Sequence, residues 1–288
     1  MRKVLVLGSA GFLMSNLMRY VLYRTKEYGF VSVDWLRGAY DSKNIYVHRN
    51  HLFHIGNAGD NMFMDKLIHM EKPDIIVIGT TMFVPPRSIV PLSHMGISEV
   101  VLPTSVVCQY VQRTSYGRCQ VIRLAPDNSI LDMGNQEMWN YVESMVLDVG
   151  GTVLRLPICF GRRGNGHFEA ALGKAFSYKG DTWHLECDTI RKRHAYVEDV
   201  ASMVWFLMEH PHPREVVRMP ALGCVSILDM IAMSSDVHGF CADQAFTTGG
   251  KEDSGIVGWA PDSDNIRGAL VNTAKWYSMN PWVFKNYP

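Results

Sequence analysis

The sequence predicts an α/β fold: a doubly wound parallel sheet followed by a smaller C-terminal α/β domain. Two observations carry that expectation. Short apolar runs alternate with helix-period segments through the first half of the chain, and the first apolar run opens directly into a glycine loop, KVLVLGSAGFLMSNL. Strands alternating with helices pair in parallel, because each crossover helix must lie on a face of the sheet it connects. A glycine loop between a buried strand and an amphipathic helix marks where such a sheet receives a ligand.

The elements follow in order. KVLVLG is the first strand, a helix begins at about Phe12, and FVSVDW and HLFHIG are the next two strands. A helix from about Asn61 precedes the strand DIIVIGTT. A long helix over about Gly96 to Arg113 leads to the strand QVIRLA, and a helix near Glu137 to Leu147 leads to TVLRLP. Beyond Gly161 the elements shorten and glycine, charge and aromatic residues interleave. The expected domains are residues 1–160 with about 190–212, and about 161–189 with 213–288.

Composition bounds the function. The chain has 288 residues, 47% of them hydrophobic, enough for a full core, and its 28 Lys+Arg balance its 28 Asp+Glu. Zero net charge with scattered cations argues against an electrostatic grip on nucleic acid or an anionic membrane, and favours a small ligand. No stretch approaches the ~20 apolar residues of a membrane span, so the expected location is cytoplasmic. The six cysteines, Cys108, Cys119, Cys159, Cys187, Cys224 and Cys241, form no CxxC pair and are expected as reduced thiols. His48, His51 and His54 recur every three residues, a spacing that turns successive side chains of a strand to opposite faces, so no metal site is expected there. The C-terminal aromatics Trp276, Tyr277, Trp282 and Phe284 are expected in the core.

The glycine loop presents Gly8 and Gly11 where a phosphate-cradling turn needs them, but Met14 where a third glycine normally lets helix and strand approach closely. Met14 is expected to displace the helix slightly. Asp34 closes the second strand about twenty residues on, placed to accept hydrogen bonds from an adenosine ribose; its charge favours NAD over NADP.

At these residues the chain resembles the extended short-chain dehydrogenase/reductases, the NAD-dependent epimerase/dehydratase family, and among them the dTDP-glucose 4,6-dehydratases. The matching segments are GSAGFLMSNLMRYVL, KPDIIVIGTTMFVPPRSI, VIRLAPDN, RLPICFG, RHAYVEDVASMVWFLME and TAKWYSMNPWVFKN. The resemblance implies a Rossmann-like domain with NAD pyrophosphate near Gly8, Gly11, Phe12 and Leu13, adenosine ribose at Asp34, adenine near Asn57 and Ala58, and cofactor ribose along Thr80 and Thr81. It further implies a nucleotide sugar near Arg87, Ser88, Arg191, Lys192 and Arg193, and a homodimer formed through paired helices.

The same comparison exposes losses. Chemistry in this family uses a tyrosine acidified by a lysine one helical turn later, yet no tyrosine here is followed by lysine at that spacing. The pair falls on Asn135 and Trp139, or on Ser129 and Met133, and the nearest tyrosine, Tyr141, is followed by Met145. The family's Thr-Asp-Glu run reads Pro126, Asp127, Asn128; Asp127 can still donate a proton, but Asn128 has no basic form. Ile158 and Cys159 stand where substrate-contacting asparagines belong. The expectation is an NAD- or nucleotide-sugar-binding pseudoenzyme. Its alternatives are an active sugar-nucleotide dehydratase or epimerase with a non-standard base, and a ligand-free dimeric scaffold.

Overall fold

The computed structural model describes residues 1–36, 41–80, 96–114, 119–127, 133–164, 168–169, 171–173, 189–234, 252, 256–263 and 265–284. Two compact units divide the chain: Met1–Leu156 with Val204–Arg218, and Pro157–Met203 with Met219–Pro288.

The first unit is a seven-stranded parallel sheet. Its strands are β1 (Arg2–Leu7), β2 (Tyr28–Asp34), β3 (His51–Ile55), β4 (Ile75–Ile78), β5 (Gln120–Pro126), β6 (Thr152–Leu156) and β9 (Glu215–Arg218), in the spatial order β3-β2-β1-β4-β5-β6-β9. The central strands are buried on both sides, which is why they read as unbroken apolar runs rather than alternating ones. On one face lie α2 (Asn61–Glu71), α3 (Leu102–Arg113) and α4 (Met133–Asp148), whose Leu67, Val107, Val111, Val142 and Val146 join Leu5, Ile76, Val121 and Val153 of the sheet in one core. On the other, Tyr28 stacks edge-on against Trp205 and donates its hydroxyl to Glu209, both on α5 (Val197–Glu209). Helix α1 (Phe12–Leu22) follows β1.

The expected helix over 96–113 is regular only from Leu102; its first turn, Ile97–Val101, is a π-helical turn. Proline at the start of α3 explains the break, since its ring removes a backbone donor from the turn before it. The helix expected near Glu137 to Leu147 extends over Met133–Asp148.

The second unit holds a three-stranded sheet, β10-β8-β7, from β7 (Ile158–Phe160), β8 (Lys192–Tyr196) and β10 (Gly223–Val225), with α6 (Ile227–Met233) and α7 (Ile266–Met279). A capping box between Ser226 and Asp229 starts α6. Tyr277 is fully buried, and its hydroxyl donates to the carbonyls of Gly161 and Gly164. The division differs from the expected boundaries at three strands: β7 and β8 belong to the small sheet, and β9 to the large one.

Candidate nucleotide site

The chain builds β1, β2 and β3 outward in one direction and β4, β5 and β6 in the other, so the carboxyl ends of β1 and β4 meet at the point where the order reverses. An open parallel sheet receives ligands at that point, because loops diverge there and helix N-termini converge on it. Gly8 follows β1 with φ +76°, and a Cβ added to it would stand 3.1 Å from the Thr80 nitrogen, against the backbone at the end of β4. Both the conformation and the close approach require glycine. The Gly8 N–H donates to Val33 O, and the Gly11 N–H turns back onto Gly8 O at 3.1 Å. Gly11 then caps α1 with extended backbone, no side-chain cap and no acidic residue in the first turn. The opening N–H groups of α1, from Phe12 and Leu13, therefore keep their positive end for an anion.

Asp34 ends β2 and ties the loop down. One carboxylate oxygen accepts from the Ala10 N–H at 2.9 Å, the other from the Leu36 N–H at 2.9 Å. Each oxygen retains lone-pair capacity for a ligand hydroxyl. Buried Asn44, which the sequence did not single out, donates its side-chain amide to Ala10 O at 2.8 Å, so the loop is held through both the N–H and the C=O of Ala10. Asn57 follows β3 and accepts from the Gly59 N–H at 2.9 Å, a tight turn into α2; Ala58 is buried beside it.

Met14 is accommodated from the strand side. It is 1% exposed, and a Cβ placed on Gly79 would lie 2.1 Å from its Cγ. The missing glycine of the helix is thus matched by a glycine at the end of β4: the thioether lies over Gly79, and close approach is preserved with the partners exchanged.

Thr80 receives a contact that sequence reasoning missed. Arg123, in the middle of β5, is completely buried; its Nη1 donates to Ile78 O at 3.1 Å and Thr80 O at 2.7 Å, and its guanidinium carbon lies 4.9 Å from the centre of the Trp139 ring. Burial pushes its pKa down to about 9, which still leaves it charged at neutral pH. The signal was present as an arginine at a buried position within the apolar run of a parallel strand, QVIRLAP.

The positions where a catalytic pair belongs offer none among the described residues. Trp139 is buried beneath Arg123, and Tyr141 is 58% exposed. Helix α4 is fixed to β6 by a forked pair, Arg155 Nε to Glu143 Oε1 at 2.9 Å and Nη2 to Oε2 at 2.5 Å; that hydrogen bonding, ahead of the cost of burial, raises the Arg155 pKa. Asp127 directly follows β5, its N–H donating to Leu156 O at 2.7 Å, and its charge also reaches Arg155.

Two of the expected substrate cations, Arg191 and Arg193, are engaged by carboxylates in the second unit. Arg191 lies 3.4 Å from Asp229, Arg193 forks onto Glu252, and Lys192 is in β8. Thr81, Arg87 and Ser88 lie outside the described residues, as do Asn128, Ser129, Cys187 and Cys241. Cys108, Cys119, Cys159 and Cys224 are free thiols, and burial pushes the first three up to about 12. His51 and His54 share β3; His51 bonds Ser32 at 2.6 Å through one ring nitrogen and Tyr46 O through the other. No helix among the described residues is long and apolar enough to cross a membrane.

The fold and the glycine loop define a Rossmann-like α/β protein. Among solved structures, the chain is similar to dTDP-glucose 4,6-dehydratase from Bacillus anthracis in complex with NAD, with TM-score 0.79 and 16% identity over 99% of both chains. It is also similar to the Bordetella bronchiseptica enzyme WbmF in complex with NADH, with TM-score 0.79 and 19% identity over 99% of this chain and 94% of that one. UDP-glucose 4-epimerase from Thermotoga maritima, with UDP-glucose, gives TM-score 0.72 and 15% identity over 96% of this chain and 99% of that one. The likeness drawn from the motifs thus extends to the fold. The chain matches no protein-family model and no curated protein.

Proposed function

We propose that the chain binds NAD at the reversal point of its large sheet and a nucleotide sugar beside it, and that it has lost the standard acid-base machinery of sugar-nucleotide dehydration and epimerisation. The observation that carries this is the Asp34 carboxylate, held 2.9 Å from the Ala10 N–H of a loop whose Gly8 has φ +76°. A carboxylate in that place accepts ribose hydroxyls and repels a 2′-phosphate, and the open N-terminus of α1 attracts the pyrophosphate. The complexes of the similar structures, with NAD, NADH and UDP-glucose, support the same ligand classes.

Loss of catalysis rests on side-chain chemistry. Trp139 has no ionisable group, exposed Tyr141 has Met145 a turn later, and Pro126 and Asn128 supply neither hydroxyl nor base. A cytoplasmic homodimer completes the proposal. The test is acid extraction of the purified protein with mass spectrometry of any released nucleotide, then calorimetric titration with NAD and NADP. NAD is expected, with NADP weaker. No binding of either would refute the nucleotide site, and conversion of dTDP-glucose or UDP-glucose to a 4-keto or epimerised product would refute the loss of catalysis.

A further inference from the structure

A fully buried guanidinium normally has a carboxylate or a full set of acceptors, because an uncompensated buried charge is costly. Arg123 has neither. Its Nη1 reaches Ile78 O and Thr80 O, with Thr80 Oγ1 at 3.4 Å, while its Nε and Nη2 are buried without a hydrogen-bond partner among the described residues. The Trp139 ring lies 4.9 Å from its guanidinium carbon. A side chain kept at a cost to stability points to a role that stability does not explain.

Its contacts indicate that role. Both carbonyls belong to the end of β4, and the backbone of Gly79 and Thr80 is the surface on which Gly8 seats, as close as 3.1 Å from its added Cβ. Arg123 therefore grips, from the neighbouring strand, the strand end that forms one wall of the glycine loop. It also brings a positive charge to a strand end, where carbonyl oxygens otherwise repel an anionic ligand.

We propose that Arg123 is the positioning residue of the nucleotide site: by clamping Ile78 and Thr80 it fixes the β4 end that receives the nicotinamide half of a dinucleotide. This rests on the NAD reading above. The adenosine half belongs to Asp34 and the turn after β3, two and three strands away from β4, and does not depend on the clamp.

The test compares wild type with Arg123→Met, which keeps the length and removes the charge and fork, and with Arg123→Lys, which keeps the charge. Calorimetry with NAD and with AMP measures each half, and thermal unfolding measures the fold. Arg123→Met is expected to weaken NAD by about tenfold or more, leave AMP within about threefold, and unfold at an equal or higher temperature; Arg123→Lys recovers part of the NAD affinity. Unchanged NAD affinity in folded Arg123→Met overturns the proposal. So does parallel loss of NAD, AMP and thermal stability, the pattern of a merely structural residue. If Arg123→Met does not fold, Arg123→Lys decides: selective loss of NAD supports the clamp, and wild-type affinity overturns it. Wild-type protein that binds AMP and not NAD removes the clamp's proposed ligand, and binding of neither removes the nucleotide site itself.

Discussion

Substituting Gly79→Ala tests whether the helix and strand have exchanged their small residue. Gly79 is outside the positive-φ glycines, so alanine meets no backbone penalty there, and in an open strand it would be mildly stabilising. Its Cβ, however, would stand 2.1 Å from Met14 Cγ and 2.5 Å from Sδ, against the 3.4 Å at which ordinary contact begins. The obstructing atom lies near the root of a side chain that is 1% exposed, so Met14 must change rotamer inside a packed helix face. Overpacking of this kind costs about 1–3 kcal/mol. Met14→Ala alone opens a cavity at a cost of about 2–5 kcal/mol. In the double variant the new methyl group occupies part of the vacated space, and the total should fall short of the sum by about 1–2 kcal/mol. Equilibrium urea unfolding of the four proteins, followed by far-UV circular dichroism, measures the cycle. Additivity within about 0.5 kcal/mol would refute the exchange, since uncoupled sites behave that way.

Two further predictions concern the site and the second unit. Asp34→Ala removes an acceptor for the ribose and the anchor of the Ala10 N–H, and should weaken NAD at least tenfold at about 1.5–3 kcal/mol per charged hydrogen bond, as read by calorimetry; NAD affinity equal to wild type would refute the placement. His194 donates Nδ1–H to Lys192 O and buries an Nε2 that has no hydrogen-bond partner among the described residues, and burial pushes its pKa from 6.5 down to about 4. The unfolded chain therefore takes up the proton first as pH falls, so stability is full above pH 6.5 and declines towards pH 4, by about 3 kcal/mol for this group. Asp199, raised by burial, acts in the opposite sense, so the measurement is the difference between wild type and His194→Gln in urea at pH 7 and pH 4.5; an equal loss in both would refute the assignment.

What the sequence disclosed was whatever depends on local period and chain order. The strands KVLVLG and DIIVIG were legible because a strand buried on both faces must be apolar throughout, and Gly8 because a positive φ leaves few residue choices. Asp34 was legible from its distance past the loop. Hidden were the relations between residues far apart in the chain. Met14 looked like a defect because Gly79, its partner, lies on another strand. Arg123 was masked by the apolar run around it, and its meaning depends on carbonyls more than forty residues earlier. Asn44 sits in a polar stretch where a side chain reaching back to Ala10 leaves no periodic trace. The division differed from the expected one at β7, β8 and β9 because strands that short carry too few residues to declare which sheet they join.

The pairing of β6 with β9 has a consequence for how the protein is made. Residues 152–156 leave the ribosome well before 215–218, and the intervening chain supplies much of the second unit. The large sheet therefore waits with β6 as an open edge throughout that interval of synthesis, exposing a row of backbone groups to any passing strand. Truncation after Leu156 would make that transient edge permanent, so an expression boundary intended to isolate the first unit has to carry Val204–Arg218 with it.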